Sequence, residues 1–563
     1  MALSPVRYLS DDALQQGANA RCENYWCAYL PDIADQMGLT ADPVSRDDLV
    51  SSLPDTRVLI LPDLPPGYLT VLEADGLKHW VERGGILIGI ATEGLDDLFG
   101  IQTLAGIGQP EDPWSYSAML RLTDPEMARN LYSPDTLDAP LLVVSPARVI
   151  AAQGRELARL LSIEGDDLAA PAVALRDVQE GKACYFAFNL CQTLWCLHHG
   201  RPISTDRDGD GWLRMSDAII IRPHRIDVPY ADLLLFLLRN VVALADVWFK
   251  HPLPATPAGT VADAVFHWGG DDEGDATGIQ QEASDFMRSR NLPYHVNIMP
   301  HPGGEFGLSP EGFAHLKANG HETSLHVNMI EGFEHPNYFT EEDVRSQVRR
   351  YREVFGETPI CTVFHCCTWH GSTEPAEWLA AEGIAADNCR IHAGSPPANP
   401  VNLLGYSFGT AFPFWYRSDW RQGNRRIDFL SLQVNAYETG YDGEGTATTW
   451  QHRAIRDAAF WQLTMNMFHH PLYLARFPQA QEAIDEFLRV VAKMCPGAIQ
   501  MGNDELTLWW RARSAARLDE GEQGEPLLRA EGEAWRDGYV VMRRDPHGEA
   551  GPGGGWEYRV LRG

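Results

Sequence analysis

Through the first 250 residues, short apolar runs alternate with stretches of helical period. Val58–Pro62, Ile86–Ile90, Leu141–Val144 and Ala183–Phe188 read as strands, and Tyr68–Arg83 between the first two reads as a helix. Such alternation predicts an α/β unit over 1–250 with a parallel sheet and covering helices. The most apolar run, Leu233–Leu238, lies between Asp232 and Arg239 and falls far short of the ~20 residues of a membrane span, so it predicts a buried helix.

In "KHPLPATPAGT" the prolines and small residues predict an extended linker over 251–260. The alternation then resumes. Predicted strands Ala264–Trp268, Tyr294–Ile298, Glu322–Leu325 and Thr362–His365 are followed by predicted helices over Gln280–Arg290, Pro310–Asn319, from the cap Thr340, and over Glu374–Glu382. Repeats of this length predict a (β/α) barrel over 261–500, with its chemistry at the C-terminal ends of the strands. Over 501–563, "DELTLWWRARS", "EPLLRAEG" and "GYVVMRR" read as short strands of a small β appendage, with "PHGEAGPGGG" as a flexible loop.

Composition narrows the function classes. A chain of 563 residues exceeds one core and fits several domains. The net charge of −31 repels phosphate backbones and anionic headgroups, which argues against nucleic-acid and membrane partners. The N-terminal segment shows no apolar secretory core, and the ten cysteines form no Cys-x-x-Cys set. Both features fit a cytoplasmic chain with free thiols.

Within the first unit, "LILPDLPP", a helix and "VERGGILIGIATEG" resemble the class I glutamine amidotransferase-like, flavodoxin-like domain. In active members a tight Gly-x-Cys-x-Gly elbow presents a nucleophilic thiol. Here the matching stretch is Gly89-Ile90-Ala91-Thr92-Glu93, with Ala91 at the cysteine position. The resemblance therefore implies a non-catalytic domain for substrate binding or assembly, including a homo-oligomer.

Nineteen histidines are present, and ten of them fall between His267 and His392. That density suits a metal site and its supporting shell as well as core histidines. Asp271-Asp272 follows a predicted strand, and adjacent carboxylates repel unless a cation or proton lies between them. His326 ends another strand in "NGHETSLHVN", and His335 precedes a helix cap in "FEHPNYFTEEDV".

These segments resemble the NodB-type polysaccharide deacetylases of carbohydrate esterase family four. The resemblance implies a distorted (β/α) barrel in which Asp271 is the general base. It implies that Asp272, His326 and His335 hold a divalent metal, zinc by preference, and that His470 of "MNMFHHPLYL" is the general acid. Where the family has Arg-x-Pro-x-Gly this chain has His365-Cys-Cys-Thr-Trp-His370-Gly371, so His365, His370 and Trp369 become base-orienting or substrate-binding residues, with Asp419 of Asp419-Trp420 beside them. Trp268, Trp369, Trp415 and Trp420 are further candidates for sugar stacking. Separately, Asp206, Asp208 and Asp210, with Asp217 at position twelve, follow a calcium-loop pattern.

The expected function is a metal-dependent hydrolase that removes an acyl group from a glycan or a smaller amide or ester. Two alternatives stand beside it: an inactive carbohydrate-binding protein on the same barrel, and a hydrolase of non-sugar C–N bonds.

Overall fold

A computed structural model describes residues 4–562, apart from 137–138, 222–225, 333–335, 392–403, 439–445, 531–534, 546 and 549–554. Two large sheets organise the chain. The first has nine strands in the order Asp42–Val44, Val6–Leu9, Val58–Leu61, Ile86–Ile90, Gly181–Phe186, Asp167–Val178, Arg155–Leu161, Ala118–Leu122, Leu141–Val143. Its first five strands are parallel, as expected, and the remaining neighbours pair antiparallel. The difference lies in the connections. Gln179 and Glu180 alone join Asp167–Val178 to Gly181–Phe186, and so short a turn permits only a hairpin. The predicted helix is Val71–Glu82, started by a capping box between Thr70 and Glu73. Ala91, just past Ile86–Ile90, has φ +52, a left-handed residue at the strand exit.

The second sheet has ten strands and curls into a barrel-like surface. Val265–Asp271 pairs parallel with His295–Ile298 on one side and Thr464–Phe468 on the other. From His295–Ile298 the parallel pairing continues through Glu322–Val327, Cys361–Phe364, Ala386–Ile391 and Arg426–Val434. After Asn435 that last segment continues as Ala436–Tyr437, which pairs parallel with Thr464–Phe468. The line of pairings thus returns to its start through one break at Asn435. Helices Ile279–Ser289, Pro310–Ala318, Glu341–Phe355 and Glu374–Ala381 fall where periodicity placed them.

Period-two alternation decides what lines this sheet. His267 and Asp271, His295 and Asn297, Glu322 and His326, and Asn466 are all buried or nearly so and linked by hydrogen bonds or short contacts between neighbouring strands. A layer of polar side chains, not only Val, Ile and Leu, therefore fills the space beneath the strand ends.

Two expectations are corrected. The first part of the stretch expected as a linker, 251–254, belongs to the buried strand Phe249–Pro254, which pairs with Tyr539–Arg544 of a C-terminal hairpin. The segment "DELTLWWRARS" is helical, as part of Asn503–Ala515, not a strand. The Glu322 carboxylate accepts from the Asp504 and Glu505 N–H groups, supplying from a distant strand the cap its own sequence lacks. Pro526–Arg529 and Tyr539–Arg544 are strands as predicted.

The two units share one apolar core, and buried polar side chains tie them together. Arg513 donates to the carbonyls of His251, Asp35, Gln36 and Lys250, and Arg417 pairs with buried Asp32. Leu233–Leu238 lies inside the buried helix Tyr230–Val242. Among the described residues no helix is long and apolar enough to cross a membrane.

Candidate metal centre

At the C-terminal ends of the barrel strands, five ionisable side chains converge. Glu273, His326 and His365 form one group whose ligand atoms lie within 4.8 Å of one another, and Asp271, Glu273 and His470 form a second. Glu273 is common to both. His365 Nε2 is 2.8 Å from Glu273 Oε2, His470 Nε2 is 3.3 Å from Oε1, and His326 Nε2 is 3.8 Å from Oε1.

Local backbone explains the approach. Gly270 is required because a Cβ there would lie 1.8 Å from the His469 carbonyl oxygen, where two strand ends close on each other. Asp271 then faces inward, accepting from Asn297 Nδ2 at 2.8 Å, with Oδ2 3.5 Å from His326 Nε2. Glu273 has φ +54, a left-handed residue at the strand exit that folds its carboxylate back among the imidazoles. Cys366 and Cys367 are also left-handed, in the turn that presents His365. The first unit braces that turn: Trp369 N–H donates to Leu213 O at 3.0 Å, and Arg214 bridges Thr368.

Electrostatics follow from burial against charge. Burial lowers the pKa of His326 against the pull of Asp271 and Glu273. For His470 burial also opposes protonation, but Glu273 and Glu438 outweigh it and raise the pKa to about 10. His365 reaches about 10 in the same way, through Cys366 and Glu273. The Glu273 carboxyl is held far below its ordinary range, since His365, His470 and His326 overcome its burial.

Asp272 does not join the cluster. It is fully buried, and its Oδ1 accepts from Gly274 N–H at 2.9 Å and Met299 N–H at 2.8 Å, while Oδ2 accepts from Gln280 Nε2 at 3.0 Å. Those donors fasten the loop to the next strand, and burial raises the carboxyl to about 7. The geometry therefore sets Glu273, not Asp272, beside the histidines. His335 lies outside the described residues.

Other expected site residues sit elsewhere. His370 Nε2 bonds the Phe339 carbonyl at 2.7 Å, and Trp369 is buried, stacked on Tyr416 with its Nε1 donating to Ser372 O. Buried Asp419 caps the turn Trp420–Gln422 and pairs with Arg421. Trp268 and Trp415 are buried too, so of the four tryptophans only Trp420 shows partial exposure. Asp206, Asp208 and Asp210 bring their oxygens within 4.8 Å of one another. Asp217 is not part of that group, because its carboxylate accepts from the Arg207, Asp208 and Arg214 N–H groups.

Sequence reasoning missed Glu273 and Glu438. Glu438 is buried, and its Oε1 accepts from the His470 backbone N–H at 2.7 Å and lies 2.5 Å from His470 Nδ1. A carboxylate on Nδ1 fixes the ring and leaves Nε2 toward the cluster. The signal for Glu273 was its place in the same strand-exit turn as Asp271.

The donor set fits a divalent metal. His326 Nε2 is fully buried and makes no hydrogen bond among the described residues, an arrangement that costs free energy unless a cation or proton meets it. Imidazole nitrogens and carboxylate oxygens are the ligands of hydrolytic zinc sites.

No family model matches this chain, and no curated protein matches it. Some solved structures are similar to parts of it. The β-galactosidase from Bacillus circulans sp. alkalophilus is 16% identical over 34% of this chain and 30% of that one, with a TM-score of 0.26. The exo-β-1,4-mannosidase Op5Man5 from Opitutaceae bacterium strain TAV5 is 14% identical over 34% and 32%, with a TM-score of 0.23. Cytoplasmic protein STM3548 from Salmonella typhimurium is 13% identical over 30% and 76%, with a TM-score of 0.21. This chain thus spans about a third of the length of the two glycosidases.

Proposed function

We propose that this protein is a metal-dependent hydrolase of the polysaccharide deacetylase type, removing an acyl group from a glycan or a related amide or ester. The observation that carries this reading is the convergence of Glu273, His326 and His365 with Asp271 and His470 at the C-terminal strand ends. That is where barrels display reactive groups.

Glu273, His326 and His365 would hold the metal, with zinc favoured by the nitrogen and oxygen donors. Zinc, when bound, lowers the pKa of water and polarises a carbonyl. Asp271, steadied by Asn297, takes the proton from the attacking water. His470, steadied by Glu438, gives a proton to the departing amine or alcohol as the acyl bond breaks. Water is consumed, and a carboxylic acid and an amine or alcohol are released.

The test is zinc content together with acetate release from N-acetylated oligosaccharides and O-acetylated sugars and ring opening of cyclic amides, each with and without chelator. One equivalent of zinc and chelator-sensitive acetate release support the reading. Ring opening of cyclic amides alone would move the function to non-sugar C–N bonds. A metal-free protein that binds sugars without turnover would overturn the hydrolase and leave the carbohydrate-binding alternative.

A further inference from the structure

Beneath the cluster, a chain of buried polar groups leads away from Asp271. The strand register sets it up: Asp271 lies opposite Asn297, and His295, two residues earlier on the same face, lies opposite Glu322. The side chains join along that register. Asn297 Nδ2 donates to Asp271 Oδ1 at 2.8 Å, His295 Nε2 lies 3.0 Å from Asn297 Oδ1, and His295 Nδ1 lies 3.0 Å from Glu322 Oε2 and 3.5 Å from Asp504 Oδ1. His295 and Asn297 are buried, and Glu322 and Asp504 are anchored by backbone amides.

We propose that His295 and Asn297 are positioning residues, a fixed relay from the half-buried Glu322 and Asp504 side chains that locks the amide of Asn297 so that its N–H group points at Asp271. The inference rests on Asp271 being the base.

The polarity of each link argues for it. An amide has one donating and one accepting end, and which end faces Asp271 depends on what meets the other. A carboxylate on Nδ1 requires a proton there, and an Asn297 oxygen on Nε2 requires a second. Were Nε2 bare, Asn297 would turn its nitrogen toward His295 and its oxygen toward Asp271, setting two acceptors together. With both ring nitrogens protonated, every contact pairs a donor with an acceptor. Burial works against that imidazolium, but Asp504 and Glu322 overcome it, and the His295 pKa is raised. No ligand atom of the proposed metal group belongs to the relay. Its role is therefore separable from metal binding.

The experiment compares zinc-loaded wild type with Asn297→Ala, His295→Leu and His295→Gln. Zinc content should stay at one equivalent throughout. With 4-nitrophenyl acetate as probe, Asn297→Ala and His295→Leu should lower kcat by tenfold or more with KM within about twofold. His295→Gln, which keeps a donor toward Asn297 Oδ1, should lose less than His295→Leu. In parallel, 15N-histidine-labelled wild type should show the His295 imidazole, assigned by its loss in His295→Gln, protonated on both nitrogens at pH 7 beside that of His470, and shifted in Asn297→Ala. Unchanged kcat in Asn297→Ala, or a His295 ring with Nε2 unprotonated, overturns the relay. Should His295→Leu fail to fold, Asn297→Ala and the ring spectrum still decide. Absence of hydrolysis by zinc-loaded wild type would defeat the proposed function, while the ring spectrum would judge the relay on its own.

Discussion

Glu273→Gln and Asp272→Asn separate two neighbouring carboxylates, of which the family resemblance gives the metal to Asp272 and the proposed site gives it to Glu273. In Glu273→Gln the oxygen 2.8 Å from His365 Nε2 belongs to a neutral amide, and the proposed metal group loses its charged donor. Structural zinc binds with about 10–16 kcal/mol over about four ligands, so one ligand carries about 3 kcal/mol, or a hundredfold or more in affinity. Asp272→Asn should act on stability instead. Its Oδ1 can keep both backbone N–H bonds, but the new amide nitrogen meets the Gln280 Nε2 donor at 3.0 Å. Turning Gln280 over would cost its bond to the Asp275 carbonyl at 2.6 Å. Losing one such bond and the charge assistance of the others costs about 2 kcal/mol, or roughly 4–8 °C in Tm for a unit of this size. The assay is zinc titration against a chromogenic chelator, with a thermal melt of each apo protein. Loss of zinc from Asp272→Asn with retention in Glu273→Gln would refute the assignment.

Three further predictions follow from particular contacts. Glu438→Gln removes the charge on His470 Nδ1 and should lower kcat by about a hundredfold, the usual worth of a general acid, while zinc content stays constant; an unchanged kcat would remove His470 from the acid role. Gly502→Ala would place a Cβ 2.1 Å from Glu322 Cδ and should cost about 1–3 kcal/mol in a thermal melt; an unshifted Tm would contradict the packing beneath the barrel. His198 is buried against Phe414 with its pKa pushed down to about 3 by burial and Arg390, so the fold binds it neutral, and stability is lost as pH falls below the unfolded value near 6.5. Buried Asp232 and Asp457, at about 7, titrate with the opposite sign, so the comparison must be with His198→Asn. Between pH 6.5 and 5 the wild type should lose about 2 kcal/mol relative to that variant, and parallel melting curves would contradict it.

Most barrel strands and helices were legible because period-two and period-3.6 patterns report burial directly, and Asp271, His326, His365 and His470 stood at recognisable strand ends. What escaped depends on partners remote in sequence. Helix Asn503–Ala515 owes its N-terminal cap to Glu322, and the apparent linker is a strand because the C-terminal hairpin supplies its pairing. The exchange of Asp272 for Glu273 turns on one left-handed residue and on donors from Gln280 and Met299. In the first sheet the pattern gave strands but not their direction, which for Asp167–Val178 and Gly181–Phe186 a two-residue turn decides.

The convergence of Glu273, His326 and His365 is tested most directly by zinc K-edge absorption on the purified, zinc-reconstituted chain. The account predicts one zinc with nitrogen and oxygen neighbours at about 2.0–2.2 Å, including imidazole scattering that diminishes in His326→Ala. A chain that takes up no zinc, or a sulfur shell near ~2.3 Å from Cys366 or Cys367, would contradict it.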